Sequence, residues 1–569
     1  MLSCGPNGTP FPPSGALKGA GCDGRAARNG RKGGSVSTHR QLLRVLILAL
    51  TFPMAWSGMA HGQVREVTFT YLEGQAVTTI DPAKHTDESA HHAIINMYDP
   101  LLYPKVAEGS MEPGAHVAES WRVTPDGKTY TFRIRKGIRF QDGRELTADD
   151  VVFSLHRMLA LKKGFSWLWN GILTAEQVRA SGPNTVVFTL SQPYAPFLGT
   201  LTQLFIVNKE RVLANKKPGA FGDAGDYGEA YLNEQVAGSG PYTMESWDRA
   251  TTLVMKAFPG YWRGWKPTQI TRVTYRTVSE EATMRTLLAS GQADMIDQWR
   301  LPTTFQALGK TPGVVVDERP SAQLYHIELN TQRPPLTDIH VRRALALAFD
   351  YTTALDQIFR GAAPARGPVP VRVYGHAESV QPYQQDIEQA KRELATAGVK
   401  PGQLRFDYWF PSGNEPGRQV GLLFQSNLAQ IGVKLDLKET PWAQIVQASA
   451  QAETNPDVAS IFDTLKYPHP DSHTYGLYHP SAWGSFRTIS RYKNDEVTKL
   501  LEQARATVDR GPQLTFYKRA QELVVRDYPS IFVANPVHRI AFRDHVHGYR
   551  YVGLLGYDVA FYDFTIEKK

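Results

Sequence analysis

Between residues 118 and 159 the chain reads AESWRVTPDGKTYTFRIRKGIRFQDGRELTADDVVFSLHRML. Tyr130, Phe132 and Ile134 alternate with Thr131, Arg133 and Arg135, the period of two that puts one face of a strand in a core and leaves the other polar. PDGK before this run and QDGR after it carry turn residues, so a hairpin is predicted on each side. The period then changes. Val151, Val152, Leu155, Met158 and Leu159 fall at helical spacing behind Thr147, with Asp149 and Asp150 in the first turn, where acids suit a helix N-terminus. The alternation recurs downstream. DIEQAKRELATAG and GRQVGLLFQSNLAQIG predict helices closed by Gly398 and Gly432, and VKLDLKE predicts a strand with Val433, Leu435 and Leu437 on one face. Helices alternating with strands in this way predict α/β layers. At 569 residues the chain exceeds what a single hydrophobic core serves, so two lobes are expected.

A hydrophobic content of 42% with 21% charged residues is that of an ordinary soluble globular protein. The formal charge of +8 is concentrated at the start of the chain. Residues 1–62 hold seven cations (Lys18, Arg25, Arg28, Arg31, Lys32, Arg40 and Arg44) against Asp23, so +6 lies there and +2 remains for residues 63–569. Nucleic-acid binding thereby loses its main electrostatic support. The basic run is followed by VLILALTFPMAW, too short to span a bilayer, and by SGMAHGQ with small residues at Ala60 and Gly62. A signal peptide cleaved near Gln63 is predicted, in preference to a buried helix or a retained anchor. Both cysteines, Cys4 and Cys22, lie in this leader. The exported chain would therefore have no disulfide, thiolate metal site or cysteine nucleophile. GAGCDG (19–24) fits a dinucleotide-binding pattern by chance, since no strand precedes it. G-x-S-x-G, H-E-x-x-H and the P-loop are absent from the sequence, although a triad assembled from distant residues leaves a secreted hydrolase open as an alternative.

The segment AESWRVTPDGKTYTFRIRKGIRFQDGRELTADDVVFSLHR resembles the signature of the family 5 extracellular solute-binding proteins, the oligopeptide, dipeptide and nickel receptors of ABC importers. TTIDPAKHTD (78–87), GSGPYTMESW (238–247), NTQRPPLTDIHVRRALALAFD (330–350) and AKRELATAGV (390–399) stand in the family's order around it. The resemblance implies an α/β fold, the two-lobed periplasmic binding protein clamshell (type II, in its enlarged family 5 form) with mixed sheets. Lobe one would take residues 63–321, with an extra subdomain around 100–190. Lobe two would take 322–536, and 537–569 would return to lobe one. Hinge strands are expected near PSAQLYHIELN and VANPVHRIAF. The resemblance also implies a periplasmic monomer without catalysis or cofactor. It would deliver a small peptide, peptide-like or amino-acid-derived solute to an ABC permease in the inner membrane.

The densest chemistry lies in ASIFDTLKYPHPDSHTYGLYHP (459–480), with three histidines, three tyrosines and several charges in a stretch broken by prolines. His469, Asp471, His473 and His479 make a metal-chelate receptor the rival within binding. Against it, Pro468 and Pro470 break any helix that would align ligands, and the spacing fits no usual zinc pattern. By resemblance, this loop matches the segment whose first acid receives a peptide's ammonium group in peptide receptors. Lys466 stands in that acid's place, His469 in the place of the second, and Asp463 is the nearest remaining carboxylate. A cleft wall suited to an anionic or neutral polar group is therefore expected, with His469 adding to it as it protonates near its usual value of about 6.5. Arg418 follows Trp409 in a segment where family members carry ligand-contacting arginines. Tyr71, Glu73, Trp409 and Trp483 complete the candidate cleft residues, as aromatic walls with a few polar groups.

Overall fold

In a computed structural model of the chain, residues 66–108 and 110–567 are described. The leader, its two cysteines and the cleavage point expected near Gln63 lie outside them.

Two mixed sheets carry the architecture. The first has seven strands, with Thr68–Glu73 near its middle, parallel to Arg272–Thr277 on one side and to Met295–Ile296 on the other. Thr252–Ala257 and Tyr242–Asp248 extend one flank antiparallel, and Val537–Arg543 and Val314–Pro320 extend the other. The second sheet has six strands and is built from residues 324–535. In it Leu324–Leu329 runs antiparallel to Val458–Asp463 and Ser530–Asn535, while Arg405–Pro411 is parallel to Lys434–Thr440 and to Val458–Asp463.

The chain passes between the sheets twice, through residues 321–323 and through Pro536. The crossings are adjacent. Ser321 Oγ donates to the Pro536 carbonyl, and Asn535 Nδ2 donates to the Gln323 carbonyl at 3.1 Å. Two short neighbouring connections allow little relative motion except bending, the geometry of a hinge.

A third, antiparallel sheet forms from Ala118–Val123, Thr129–Ile134, Thr185–Thr189 and Val178–Ala180. Its inward residues Phe132 and Ile134 are fully buried and Tyr130 nearly so, as the alternation predicts. The following helix, Ala148–Leu161, begins at Thr147, whose backbone N–H donates to the Asp150 carboxylate at 2.9 Å. The hairpin predicted around QDGR contracts to a tight turn. Phe140 and Arg144 close it by a 2.8 Å hydrogen bond, with one flanking bridge and no paired strands. The Gln141 side chain is drawn away from any ladder to donate to the Met97 and Tyr242 carbonyls at 2.9 and 2.6 Å. Among the described residues no helix is long and apolar enough to cross a membrane.

Candidate functional site

The proline-broken loop follows the strand Val458–Asp463 of the second sheet, so its first residues emerge where that sheet faces the first. Here lies a narrow cavity with walls from both sheets. Gln75, Glu88 and Trp299 come from segments that follow first-sheet strands. Tyr325, Phe462, Thr464 and Lys466 face them from the second sheet and its loop, and Trp442 and Phe486 close the aromatic side. Apolar walls with a few converging polar groups are what small-ligand sites use.

Charge on the second-sheet wall is organised by Asp463, which is fully buried. Arg487 meets it with two parallel bonds, Nε at 2.8 Å and Nη2 at 2.7 Å, and Nη2 also donates to the Ser472 carbonyl at 2.7 Å. Lys466 Nζ lies 3.3 Å and His473 Nε2 3.4 Å from the same carboxylate. Burial would raise the Asp463 carboxyl, yet Arg487, then Lys466 and His473, hold it well below the usual carboxylate range. Burial also pushes the Lys466 ammonium down, and Asp463 opposes that push.

The first-sheet wall is acidic. Asp87 caps the helix Glu88–Met97 by accepting from the Ala90 N–H at 3.0 Å, which leaves Glu88 in the first turn, where the helix dipole favours a carboxylate. Glu88 accepts from Gln298 Nε2 at 2.7 Å and, across the gap, from Thr464 Oγ1 at 3.1 Å. One turn on, His92 lies 3.7 Å from Glu88 and 3.5 Å from Glu73. Burial alone would lower the His92 imidazole, but hydrogen bonding and charge from Glu73 and Glu88 raise it to about 10. Burial, and then Asp297, push Glu73 up to about 7. A second tie between the walls is Arg300, which is held by two bonds to Asp297 and donates to the Gly413 carbonyl at 2.8 Å.

The residues singled out in the sequence are dispersed around this cavity. Lys466 lines it. Asp463 lies behind Lys466, spent on Arg487. Tyr71 and Glu73 are buried under the first-sheet wall, with the Tyr71 hydroxyl donating to Glu73 at 2.9 Å. His469 packs edge-on against Tyr374 and Tyr517, and its Nδ1 accepts from the Asp471 N–H at 3.2 Å. Burial pushes that ring down to about 4. The expected protonation of His469 near 6.5 is thus corrected: the ring is neutral at physiological pH, because burial leaves too little solvent to stabilise the cation. Trp409 lies half-buried under Lys438, and Trp483 lies half-buried beside Arg491, both away from the cavity lining. Arg418 pairs with Glu415 at 2.8 and 2.6 Å and lines a separate open groove with Glu281 and Arg285.

The three loop histidines are parted as well. His473 faces Asp463, His479 stacks on Tyr475 at 3.8 Å, and His469 points elsewhere. Among the described residues no group of three or more His, Cys, Asp or Glu is arranged to hold a metal ion. The Thr464 hydroxyl in the cavity is bonded to Glu88 and not to a histidine. Glu88, Trp299, Trp442 and Phe486 were not marked by sequence pattern. No local pattern in the sequence separates them from other acids and aromatics, because what brings them together is the packing of distant segments.

Known proteins resemble this chain in sequence and fold. The model of the bacterial extracellular solute-binding proteins, family 5 Middle, matches residues 112–485. The probable D,D-dipeptide-binding periplasmic protein DdpA of Escherichia coli K12 is 29% identical over 524 residues, covering 90% of this chain and 95% of that protein. Di/tripeptide-binding protein 2 of Pseudomonas aeruginosa is also 29% identical, with 90% and 97% covered. Among solved structures, the periplasmic binding protein DppA from Helicobacter pylori in complex with the peptide STSA superposes with a TM-score of 0.79 at 26% identity, over 88% of this chain and 98% of that one. The matched segment includes the third sheet, the first-to-second-sheet crossing and the cavity loop, well over half the chain. The protein therefore belongs to the family 5 bacterial extracellular solute-binding proteins.

Proposed function

We propose that the protein captures a small peptide, peptide-like or amino-acid-derived solute in the cavity between its two sheets and presents it to an ABC permease of the inner membrane, without chemistry on the solute. The observation that carries this reading is the cavity with walls from both sheets. A solute there touches both walls only when they are drawn together. Binding then favours the closed form by the difference in affinity between closed and open states, and closure is a signal a permease can read. The names of the relatives, receptors for D,D-dipeptides and for di- and tripeptides, and the peptide bound in the Helicobacter structure support the solute class.

On this reading residues 63–321 and 537–569 act as lobe one, carrying the third sheet as an extra subdomain around 100–190, and 322–536 act as lobe two. The leader is removed near Gln63, and the mature chain works in the periplasm as a monomer. The test is direct. Protein purified from periplasm is denatured, and the released solute is identified by mass spectrometry. Small-angle scattering is then recorded with and without that solute. Compaction on binding is expected, and an unchanged scattering curve at saturation would refute the closure mechanism.

A further inference from the structure

One side chain ties the cavity wall to both hinge crossings. Gln298 follows the first-sheet strand Met295–Ile296 and stands behind the cavity lining, not in it. Its Nε2 donates to the cavity acid Glu88 at 2.7 Å. Its Oε1 accepts twice, from Gln323 Nε2 at 2.7 Å and from His538 Nδ1 at 2.6 Å. Gln323 is the last residue of the first crossing, and His538 stands just beyond Pro536 in the second. The other N–H of the Gln323 amide reaches Thr464 Oγ1 at 3.4 Å, and the Thr464 hydroxyl donates to Glu88 at 3.1 Å. A ring of four hydrogen bonds results, from Gln323 to Gln298 and Thr464 and from each of these to Glu88. Glu88 and Gln298 belong to the first sheet's side, Thr464 to the second's and Gln323 to the connection between them. The ring closes at one hinge angle, because bending at the crossing moves Thr464 and turns Gln323 relative to Gln298.

The donors run one way. Gln298 gives its N–H to a carboxylate, so its carbonyl faces the hinge and His538 brings a proton on Nδ1. Burial keeps that ring neutral, pushed down to about 3. Its Nε2 is therefore bare and accepts from the Tyr549 hydroxyl at 2.7 Å. The same hydroxyl lies 3.2 Å from Asp558, whose neutral form burial favours by pushing the carboxyl up to about 7. Each step from Asp558 to Glu88 thus pairs a donor with an acceptor. The position of Gln298 calls for a primary amide: a carboxylate has no donor for Glu88, and an apolar side chain leaves Glu88, Gln323 and His538 unmatched in a buried site.

We propose that Gln298 is a positioning residue that couples the hinge to the cavity: the two crossings orient its amide, and its amide holds Glu88 in the cavity wall. It acts without touching the solute. This rests on the receptor reading above and adds to it the link by which the hinge angle reaches the ligand wall. As the sheets part, Thr464 withdraws from Glu88 and Gln323 turns from Gln298, so the acid is no longer fixed. Closing restores both holds together, and the solute's affinity for the closed form rises with them.

The test titrates L-alanyl-L-phenylalanine calorimetrically into the wild type, Gln298→Met, Gln323→Met and Glu88→Ala, and into the two variants that combine Glu88→Ala with each of the others. Gln298→Met and Gln323→Met are each expected to bind the dipeptide about tenfold more weakly than the wild type. Beside Glu88→Ala neither should weaken binding further, since the acid they position is gone. A role confined to the fold would weaken binding equally in both backgrounds, so penalties that persist beside Glu88→Ala overturn the proposal. Wild-type affinity in either single variant overturns it as well, and Gln323→Met, at the hinge, decides alone should Gln298→Met fail to fold. Each of these results, with the dipeptide still bound by the wild type, leaves the receptor reading standing. Failure of the wild type to bind any of a panel of dipeptides overturns both.

Discussion

Replacing Arg487 by Met tests the electrostatic framework of the site most severely. The substitution keeps much of the side-chain length and removes a guanidinium that makes three hydrogen bonds, two to Asp463 and one to the Ser472 carbonyl. Asp463 is fully buried and remains so, with Lys466 at 3.3 Å as the cation left beside it among the described residues. Removing one partner of a buried pair costs about 3–5 kcal/mol, chiefly as the penalty of the charge left behind. Lys466 compensates in part, which places the expected loss near the lower end, about 3 kcal/mol. For a unit of roughly 200 residues, about 2–4 °C of Tm accompanies each kcal/mol, so scanning calorimetry should show a fall of about 6–12 °C. Adding Asp463→Asn removes the orphaned charge and should recover part of that fall, since two uncharged side chains of similar shape leave nothing uncompensated. A Tm fall below about 2 °C, or a double variant no more stable than the single one, would refute the assignment of Arg487 as the partner of Asp463.

Two further outcomes are expected. Burial pushes the rings of His85, His469, His473 and His479 down to about 4 and those of His326 and His538 to about 3. A base depressed in the folded state contributes stability that is present above its unfolded value near 6.5 and is lost as pH falls through the folded value. Glu73 and Asp558, raised to about 7, act oppositely, since their contribution is complete below the ordinary carboxylate range and fades toward pH 7. The Tm should therefore fall between about pH 6 and pH 4, where the histidines are protonated in the unfolded chain and the buried rings are not and outnumber the two acids, and a Tm that rises between pH 5 and pH 4 would contradict these environments. Gly413→Ala should weaken closure more than folding. Gly413 has φ +73°, and an added Cβ would lie 2.8 Å from the Ser279 carbonyl on the opposite wall. Left-handed backbone costs a non-glycine residue about 1 kcal/mol, so a small Tm change with about tenfold weaker dipeptide binding is expected, and wild-type affinity would show that the walls close without this contact.

How far the fold could be read depended on whether its determinants are local. Tyr130, Phe132 and Ile134 announce a strand within five residues, and Thr147 with Asp150 announces a helix start within four, because alternation and capping are short-range effects. The helix expected from Gly417 begins at Glu415, since Asn414 caps it by accepting from the Gly417 N–H at 2.7 Å and Pro416 suits its first turn. Sheet membership was not legible in this way. Thr68–Glu73 pairs with Arg272–Thr277, far along the chain, and nothing in either segment names the other. The family-like blocks implied a two-lobed clamshell with mixed sheets and did not name the strands that pair.

The site shows the same division more sharply. Its richest stretch, residues 459–480, lends Thr464 and Lys466 to the cavity lining, yet most of its polar side chains serve the protein itself: Asp471 binds Arg505, Tyr467 and Tyr517, His479 stacks on Tyr475, and Asp463 binds Arg487. A sequence displays the acid in the loop and cannot display which cation reaches it. That pairing decides the meaning of Lys466. Were Asp463 free, a buried lysine three residues on would be its ordinary partner and the wall would be neutral. Arg487 removes that possibility by occupying Asp463 with two parallel bonds, so Lys466 stays in the wall with donors to spare. The charge of the cavity is thus set by an arginine outside its lining, and a change at position 487 would alter ligand preference without touching the ligand.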